Sequence, residues 1–174
     1  MFSSELKALS QDIGELLLAK NHVLTLAESC TGGLISALIT NTAGSSAWFD
    51  SGLVTYSNQA KQDLLKVKVT SLELYGAVSE EVAMEMAIGA LQQGRATIAA
   101  SVTGIAGPDG GTITKPVGTV WLAWAWRDSQ QAMHCEAMLQ QFKGSRAEVR
   151  FATAELALAH LTELVEKRFS LPAP

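Results

Sequence analysis

The sequence predicts an α/β fold, a single three-layer domain in which a mixed β-sheet is flanked by helices. Its 174 residues are 48% apolar and 17% charged, which suits one domain with a sizeable core. Short apolar runs alternate with helical patterns along most of the chain, an order typical of layered α/β domains. Two strand patterns then follow each other directly, so we expect a mixed sheet. We assign residues 1–170 to the domain and 171–174 to a tail, without an internal repeat or linker.

The helices are predicted from a 3.6-residue apolar period and from capping residues at their ends. They are predicted at 4–20, at 32–40, after a cap at Ser57 or Asn58, from Ser79 to Gly94 and at 145–169, with a single turn at 71–75. The last helix is expected to bury an apolar face made of Phe151, Ala154, Leu158, Leu161 and Val165.

The strands are predicted from short apolar runs that are bounded by turn residues. They are predicted at 23–27, 48–56, 97–102, 118–126 and 134–142. Residues 127–131 separate the last two and are expected to form a hairpin turn, which makes these two strands antiparallel neighbours.

Charge and cysteine content exclude several classes of function. The net charge is −4 and no run of Lys or Arg occurs, so we expect no nucleic-acid partner. The most apolar windows are too short to span a membrane, and the start of the chain lacks the pattern of a secretory signal. Cys30 and Cys135 form neither a Cys-x-x-Cys motif nor a Cys/His cluster, so we expect no metal site. Two free thiols suit a reducing cytoplasm.

The stretch 27–33, Ala-Glu-Ser-Cys-Thr-Gly-Gly, joins the first strand to the second helix. Ser29 either caps that helix, which is the commoner role for a serine there, or acts as a nucleophile. Backbone N–H groups at a helix start form a site for an anion or an oxyanion. Gly32 and Gly33 lack the Cβ atoms that would keep a ligand away from this backbone.

Two further features of the chain point to a site. Lys61 falls in the first turn of its short helix, where the helix dipole disfavours a cation. An exposed lysine there has little consequence, whereas a buried one is a candidate base. Residues 103–112 contain four glycines, which are costly to order, so this loop either brings its backbone close to a ligand or is a mobile surface loop.

Three stretches, in this order, resemble the CinA C-terminal domain family. They are 27–33, the Gly-Leu-Val-Thr-Tyr-Ser-Asn-Gln-Ala-Lys stretch at 52–61, and 103–111 followed by Lys-Pro-Val-Gly-Thr-Val at 115–120. The resemblance covers nearly the whole chain and is to the stand-alone members, which lack the N-terminal domain of longer ones. It implies metal-independent hydrolysis of the carboxamide of nicotinamide mononucleotide (NMN) to nicotinate mononucleotide and ammonia, without a cofactor.

The resemblance also implies a Ser/Lys pair, with Ser29 as nucleophile and Lys61 as base. The amine must be neutral to act, and lowering its pKa from about 10.4 to about 7 costs roughly 4.6 kcal/mol. An exposed helix start supplies only about 0.3–1 kcal/mol of this, so burial must supply most of the shift. We therefore expect a buried Lys61 without a carboxylate partner. Tyr56 of the same motif either relays a proton, orients Lys61 or is a core tyrosine.

Candidate substrate contacts lie in the same stretches and near the start of the last helix. Arg146 is the candidate for the phosphate, because a guanidinium binds phosphate with two bonds, unless it is a solvated helix-end arginine. Thr103 and Thr112 are candidates for ribose or phosphate. Glu28 either binds a ribose hydroxyl or closes a turn. The other expected contacts are Cys30, Thr31, Gly32, Gly33, Gly104, Ala106 and Gly107.

Several alternatives remain open from the sequence. The oxyanion donors are expected either at the start of the helix at 32–40 or at 104–107. Cys30 is the rival nucleophile, since a thiolate at a helix start would be activated, although no histidine is near it in sequence. The rival functions are a non-catalytic pyridine-nucleotide-binding or sensing module of the same fold, and a hydrolase of another amide or ester. The resemblance further implies a homodimer.

Overall fold

A computed structural model describes residues 2–169, which form a mixed five-stranded sheet with six α-helices. The predicted tail at 171–174 lies outside the described residues. The helices are α1 (Ser4–Ala19), α2 (Leu34–Thr40), α3 (Asn58–Leu65), α4 (Val69–Tyr75), α5 (Glu80–Leu91) and α6 (Arg146–Arg168). The strands are β1 (Leu24–Glu28), β2 (Phe49–Val54), β3 (Ile98–Gly104), β4 (Thr119–Arg127) and β5 (Met133–Gln141).

The strand order is β2-β1-β3-β4-β5. β1 runs parallel to both β2 and β3, whereas β4 runs antiparallel to β3 and β5. The predicted α/β class with a mixed sheet is therefore confirmed. Because β1, β2 and β3 point the same way, their carboxyl ends meet at one edge, where Glu28 pairs with Val54 and with Val102. This edge is where ligands bind in open α/β sheets.

Helices cover both faces of the sheet and give the three predicted layers. On one face, Leu38 of α2 and Leu158 of α6 belong to one buried cluster with Leu26 of β1. On the other face, Met86 of α5 belongs to a second buried cluster with Ala99 of β3. None of the helices among residues 2–169 is long and apolar enough to cross a bilayer.

Local signals placed most elements within two residues of their observed ends. Ser57 and Ser79 cap α3 and α5 by accepting from the backbone N–H groups of Ala60 and Val82, as predicted. The single turn predicted at 71–75 is a seven-residue helix, α4, which begins at Val69. Phe151 was expected in the core but is 37% exposed, so that part of the prediction is wrong.

A glycine sets the packing of the short helix α3 on the opposite face of the sheet from α6. A Cβ atom at Gly89 of α5 would lie 2.0 Å from the carbonyl oxygen of Leu65, the last residue of α3. Only glycine allows this approach, which packs the end of α3 against α5. Because Lys61 belongs to α3, this packing helps to fix where Lys61 lies in the fold.

Candidate active site

A serine and a lysine meet at the carboxyl edge of β1 and β2. The Nζ atom of Lys61 lies 2.9 Å from the Oγ atom of Ser29 and donates to the carbonyl oxygen of Thr55 at 2.7 Å. Ser29 follows β1 directly. Lys61 lies in α3, three residues after Asn58, the first residue of that helix. The parallel pairing of β1 and β2 brings these distant parts of the chain together.

The environment of Lys61 favours the neutral amine more than water does. Its side chain is 1% exposed, and no carboxylate among residues 2–169 forms an ion pair with it. Burial lowers the pKa of the Lys61 ammonium from 10.5 to about 8, because desolvation penalises the charged form. The sequence-based expectation of a buried lysine without a carboxylate partner is confirmed for the described part of the chain.

Ser29 begins a tight turn and does not cap α2. Its backbone N–H donates to the carbonyl oxygen of Val102, and its own carbonyl oxygen accepts from the N–H of Gly32. The N-cap of α2 is Gly33, which has φ +90° and contributes no side-chain hydrogen bond. The capping role considered for Ser29 is therefore wrong, and its hydroxyl faces Lys61.

Glu28 is the residue that satisfies the start of α2. Its carboxylate has no exposed surface and accepts hydrogen bonds from the N–H groups of Gly33, Ile35 and Ser36 and from the Ser36 hydroxyl. An anion at a helix start is stabilised by those amides and by the dipole. Binding of substrate by Glu28 is therefore contradicted, and its turn-closing alternative is the one observed.

The same bonds correct the expected oxyanion donors. The amides of Gly33, Ile35 and Ser36 are used by Glu28, the amide of Gly32 by Ser29, and that of Leu34 by the carbonyl of Thr31. The start of α2 therefore has no amide free for an oxyanion. Within residues 2–169, the amides of Cys30 and Ala106 donate to no backbone carbonyl oxygen.

Arg146 and Tyr56 both line the site and are bonded to each other. The Nη2 atom of Arg146 donates to the hydroxyl of Tyr56 at 2.8 Å, and its Nη1 atom donates to the carbonyl oxygen of Gly107 at 2.8 Å. Tyr56 is 61% exposed and makes no hydrogen bond with Lys61. A core position for Tyr56 is thus wrong, and its hydroxyl bonds Arg146 instead of orienting Lys61, whereas the proton-relay role stays a prediction.

A cavity of about 190 Å³ lies between these groups. It is lined by most of the predicted site residues: Ser29, Cys30, Tyr56, Lys61, Thr103, Gly104, Ala106 and Arg146. Asn58, Ala77 and Val78 also line it, and sequence reasoning missed them. Asn58 belongs to the Tyr-Ser-Asn-x-x-Lys motif and could have been found there, whereas nothing in the sequence marks Ala77 or Val78.

The remaining predicted contacts do not line this cavity. Thr31 has no exposed surface, and Gly32 and Gly33 shape the turn behind Ser29. Thr112 lies in the exposed part of the glycine-rich loop, where its hydroxyl accepts from the N–H of Lys115. Gly107 contributes indirectly, because its carbonyl oxygen anchors Arg146.

Burial sets the chemistry of Cys30 in the cavity wall, and a hydrogen bond sets that of Thr103. Cys30 is 5% exposed, and burial raises the pKa of its thiol to about 11, so it is protonated at neutral pH. The activated thiolate considered for Cys30 is therefore wrong. The hydroxyl of Thr103 donates to the carbonyl oxygen of Ala77, which leaves its lone pairs as acceptors for a ligand.

A larger cavity, of about 490 Å³, lies at the other end of the sheet. His22 and Thr97, which precede β1 and β3, line it together with Arg127 and Arg168. None of the predicted site residues reaches it. The serine and lysine therefore lie in the smaller of the two cavities.

The chain belongs to the CinA C-terminal domain family, whose model matches residues 6–165. Two relatives carry the name nicotinamide-nucleotide amidohydrolase PncC. One, from Enterobacter agglomerans, is 53% identical over 91% of this chain and 94% of its own length. The other, from Escherichia coli strain K12, is 49% identical over 92% of this chain and 95% of its own.

Solved structures of the same family share the fold. The crystal structure of the competence/damage inducible protein CihA from Agrobacterium tumefaciens is similar with a TM-score of 0.86 and 41% identity. The match covers 94% of this chain and 98% of that one. The resemblance identified from the three sequence stretches is therefore confirmed.

Proposed function

We propose that this chain hydrolyses the carboxamide of NMN to nicotinate mononucleotide and ammonia, using Ser29 and Lys61. The observation that carries the proposal is the 2.9 Å approach of the buried Lys61 amine to the Ser29 hydroxyl. The substrate is suggested by the names of the relatives at 49–53% identity, which are nicotinamide-nucleotide amidohydrolases.

In the first half of the proposed reaction, neutral Lys61 takes the proton of Ser29 as Oγ attacks the carboxamide carbon. The tetrahedral intermediate collapses when the Lys61 ammonium returns that proton to the nitrogen, which leaves as ammonia. In the second half, Lys61 takes a proton from water as the water attacks the acyl-enzyme ester. Lys61 then gives this proton to Ser29 Oγ, and nicotinate mononucleotide leaves with the enzyme restored.

The oxyanion of each tetrahedral intermediate needs hydrogen-bond donors beside the nucleophile. The amides of Cys30 and Ala106 suit this role, since both residues line the cavity and neither amide donates to a backbone carbonyl oxygen among residues 2–169. Cys30 directly follows the nucleophile, and Ala106 belongs to the glycine-rich loop. The glycine-rich loop would then supply a backbone donor to the oxyanion, a role that the sequence left open.

The arrangement of the cavity suggests how NMN is oriented. The space beside Ser29 and Lys61 is small and suits the pyridine carboxamide, which leaves the ribose phosphate towards the exposed side of the site. Arg146 lines that side and has further N–H groups beyond those bonded to Tyr56 and Gly107. We therefore assign the phosphate to Arg146 and a ribose hydroxyl to Thr103.

Ammonia release from NMN tests the proposal, with nicotinamide and glutamine as substrate controls. A Ser29→Ala variant should lose the activity by about 10⁴-fold or more, as removal of a catalytic nucleophile does. A Cys30→Ala variant should retain it. A Ser29→Ala protein with the wild-type rate would contradict the mechanism. NMN binding without ammonia release would favour the sensing module. Hydrolysis of another amide or ester, but not of NMN, would favour a hydrolase with a different substrate.

The wider setting of this reaction is also a proposal. Conversion of NMN to nicotinate mononucleotide would return the nicotinamide moiety to pyridine nucleotide metabolism as salvage. The family resemblance suggests a homodimer, which light scattering of the purified protein would test. Two free thiols suit a reducing compartment, and fractionation of cells would test the proposed cytoplasmic location.

A further inference from the structure

We propose that Arg150 is a positioning residue that holds the turn carrying the nucleophile, residues 29–33, in its reactive shape. The kinetic part of this inference rests on the proposed amidase function. Arg150 does not line the cavity, so it acts through the backbone of the turn rather than on the substrate.

The contact between Arg150 and the turn is direct. The Nε and Nη2 atoms of Arg150 donate to the carbonyl oxygen of Thr31 at 3.2 and 2.6 Å. No carboxylate among residues 2–169 forms an ion pair with Arg150, so its guanidinium binds this carbonyl instead. A charge-assisted hydrogen bond is stronger than a neutral one.

The bonded carbonyl belongs to a peptide group that is held at both ends. The carbonyl of Thr31 and the N–H of Gly32 share one planar trans peptide and point in opposite directions. The N–H of Gly32 donates to the carbonyl oxygen of Ser29 at 3.0 Å. Arg150 therefore fixes the orientation of the peptide that closes the turn back onto Ser29.

The turn's internal bond to the Thr31 carbonyl, from the N–H of Leu34, is long at 3.3 Å, so the turn also depends on an external anchor. Gly32 and Gly33 have φ angles of +60° and +90°, in a region that glycine enters and leaves readily. The hydroxyl of Thr31 is buried without a hydrogen-bond partner, so this side chain does not tie the turn down. Glu28 anchors the end of the turn at Gly33, and Arg150 anchors its middle at Thr31.

Loss of this anchor should misplace Ser29 Oγ and the Cys30 amide while leaving the substrate contacts in place. An Arg150→Met variant should lower kcat on NMN by about ten- to a hundredfold, the effect of a small displacement of reacting groups. Its KM should stay within about twofold, and the pH at which activity rises should not change, because neither Arg146 nor Lys61 is altered. Arg146, one turn earlier in the same helix, should instead affect KM.

The experiment compares four proteins: wild type, Arg150→Met, Arg150→Lys and the control Arg95→Met. Arg95 bonds Asp50 and the Ser46 carbonyl at the surface, so its variant should keep the wild-type kcat. Arg150→Lys keeps the charge with a single donor group and should fold even if the Met variant does not; we expect a kcat about threefold to tenfold below wild type. Added guanidinium ion should restore part of the kcat of Arg150→Met, and tetramethylammonium should not.

A second readout does not depend on NMN. Labelling of Ser29 by a fluorophosphonate, followed by intact-protein mass, should slow in both Arg150 variants and not in Arg95→Met. Wild-type kcat and wild-type labelling in Arg150→Lys would overturn the positioning role, as would a raised KM with unchanged kcat. If the wild-type protein releases no ammonia from NMN, the proposed function fails, and the labelling rates still decide the role of Arg150.

Discussion

The Nζ atom of Lys61 lies 2.9 Å from the Oγ atom of Ser29, although 32 positions separate the two residues in the chain. The parallel neighbours β1 and β2 end at the same edge of the sheet, and each delivers one member of the pair from the segment that follows it. The amine is buried without a carboxylate partner among residues 2–169, and burial lowers its pKa to about 8, so a larger fraction of it is neutral near physiological pH than in an exposed lysine.

The first prediction concerns the pH dependence of catalysis. Because burial lowers the pKa of Lys61 to about 8 and only the neutral amine accepts a proton, kcat/KM should rise with pH through about 8 and then level off. The rise should approach tenfold per pH unit below that pKa. Initial rates of ammonia release between pH 7 and 10 measure it, above the range in which a phosphate titrates. A flat profile across this interval would contradict a lysine base.

The second prediction concerns stability. The unfolded chain binds a proton on Lys61 up to about pH 10.5, whereas the folded chain releases it near pH 8. Below pH 8 the folded state therefore carries the full cost of a buried ammonium, and this cost disappears as the pH rises from 8 to 10.5. Lys61→Met should stabilise the protein at pH 7 by up to about 3 kcal/mol, at about 1.36 kcal/mol per pKa unit.

Urea unfolding at pH 7 and at pH 10 measures this difference. The advantage of Lys61→Met should shrink at the higher pH, whereas the exposed control Lys7→Met should show no such change. A Lys61→Met protein that is less stable than wild type by the same amount at both pH values would contradict a buried ammonium.

The third prediction concerns the phosphate of NMN. Arg146→Gln should raise KM by about 10- to 100-fold, the value of a hydrogen bond to a charged group of roughly 1.5–3 kcal/mol, and should leave kcat much less affected. Steady-state kinetics with NMN and with nicotinamide riboside measure it. Because the riboside lacks the phosphate, the variant should lose little activity on it. Equal losses on both substrates would remove the phosphate assignment.

The fourth prediction separates Tyr56 from the proton transfer. Its hydroxyl bonds Arg146 and not Lys61, so Tyr56→Phe should raise KM about twofold to tenfold through a less restrained guanidinium. The pH profile of kcat/KM should keep its midpoint. A Tyr56→Phe protein with a shifted midpoint and a low kcat would restore the proton-relay role that the sequence left open.

The fifth prediction concerns the buried carboxylate of Glu28. In Glu28→Gln the amide NH₂ group would replace one carboxylate oxygen and face either the N–H groups of Gly33 and Ile35 or the N–H of Ser36, so we expect a loss of about 2–4 kcal/mol in the free energy of unfolding. Glu80→Gln, at the exposed start of α5, should lose less than about 1 kcal/mol. Denaturant unfolding of both variants measures the difference, and equal losses would refute a special role for Glu28.

Much of the fold could be predicted because its signals are local. The caps at Ser57 and Ser79 act on amides three residues away, and the apolar period of α1 lies within one helix. The site was only partly accessible in this way. Its motifs and their resemblance to a known family singled out Ser29, Lys61 and Arg146, whereas Ala77 and Val78 enter the cavity with no sequence signal.

By itself the sequence determined the order of strands and helices, the position of the three motifs and the need for a buried lysine. The tertiary structure decided which polar group meets which. Ser29 and Glu28 both precede the amides of α2, and only the folded chain shows that Glu28 takes them while the Ser29 hydroxyl faces Lys61. In the same way, Arg150 reaches Thr31 across 119 positions. Competition among donors and acceptors is settled by distance in space, which a linear pattern does not contain.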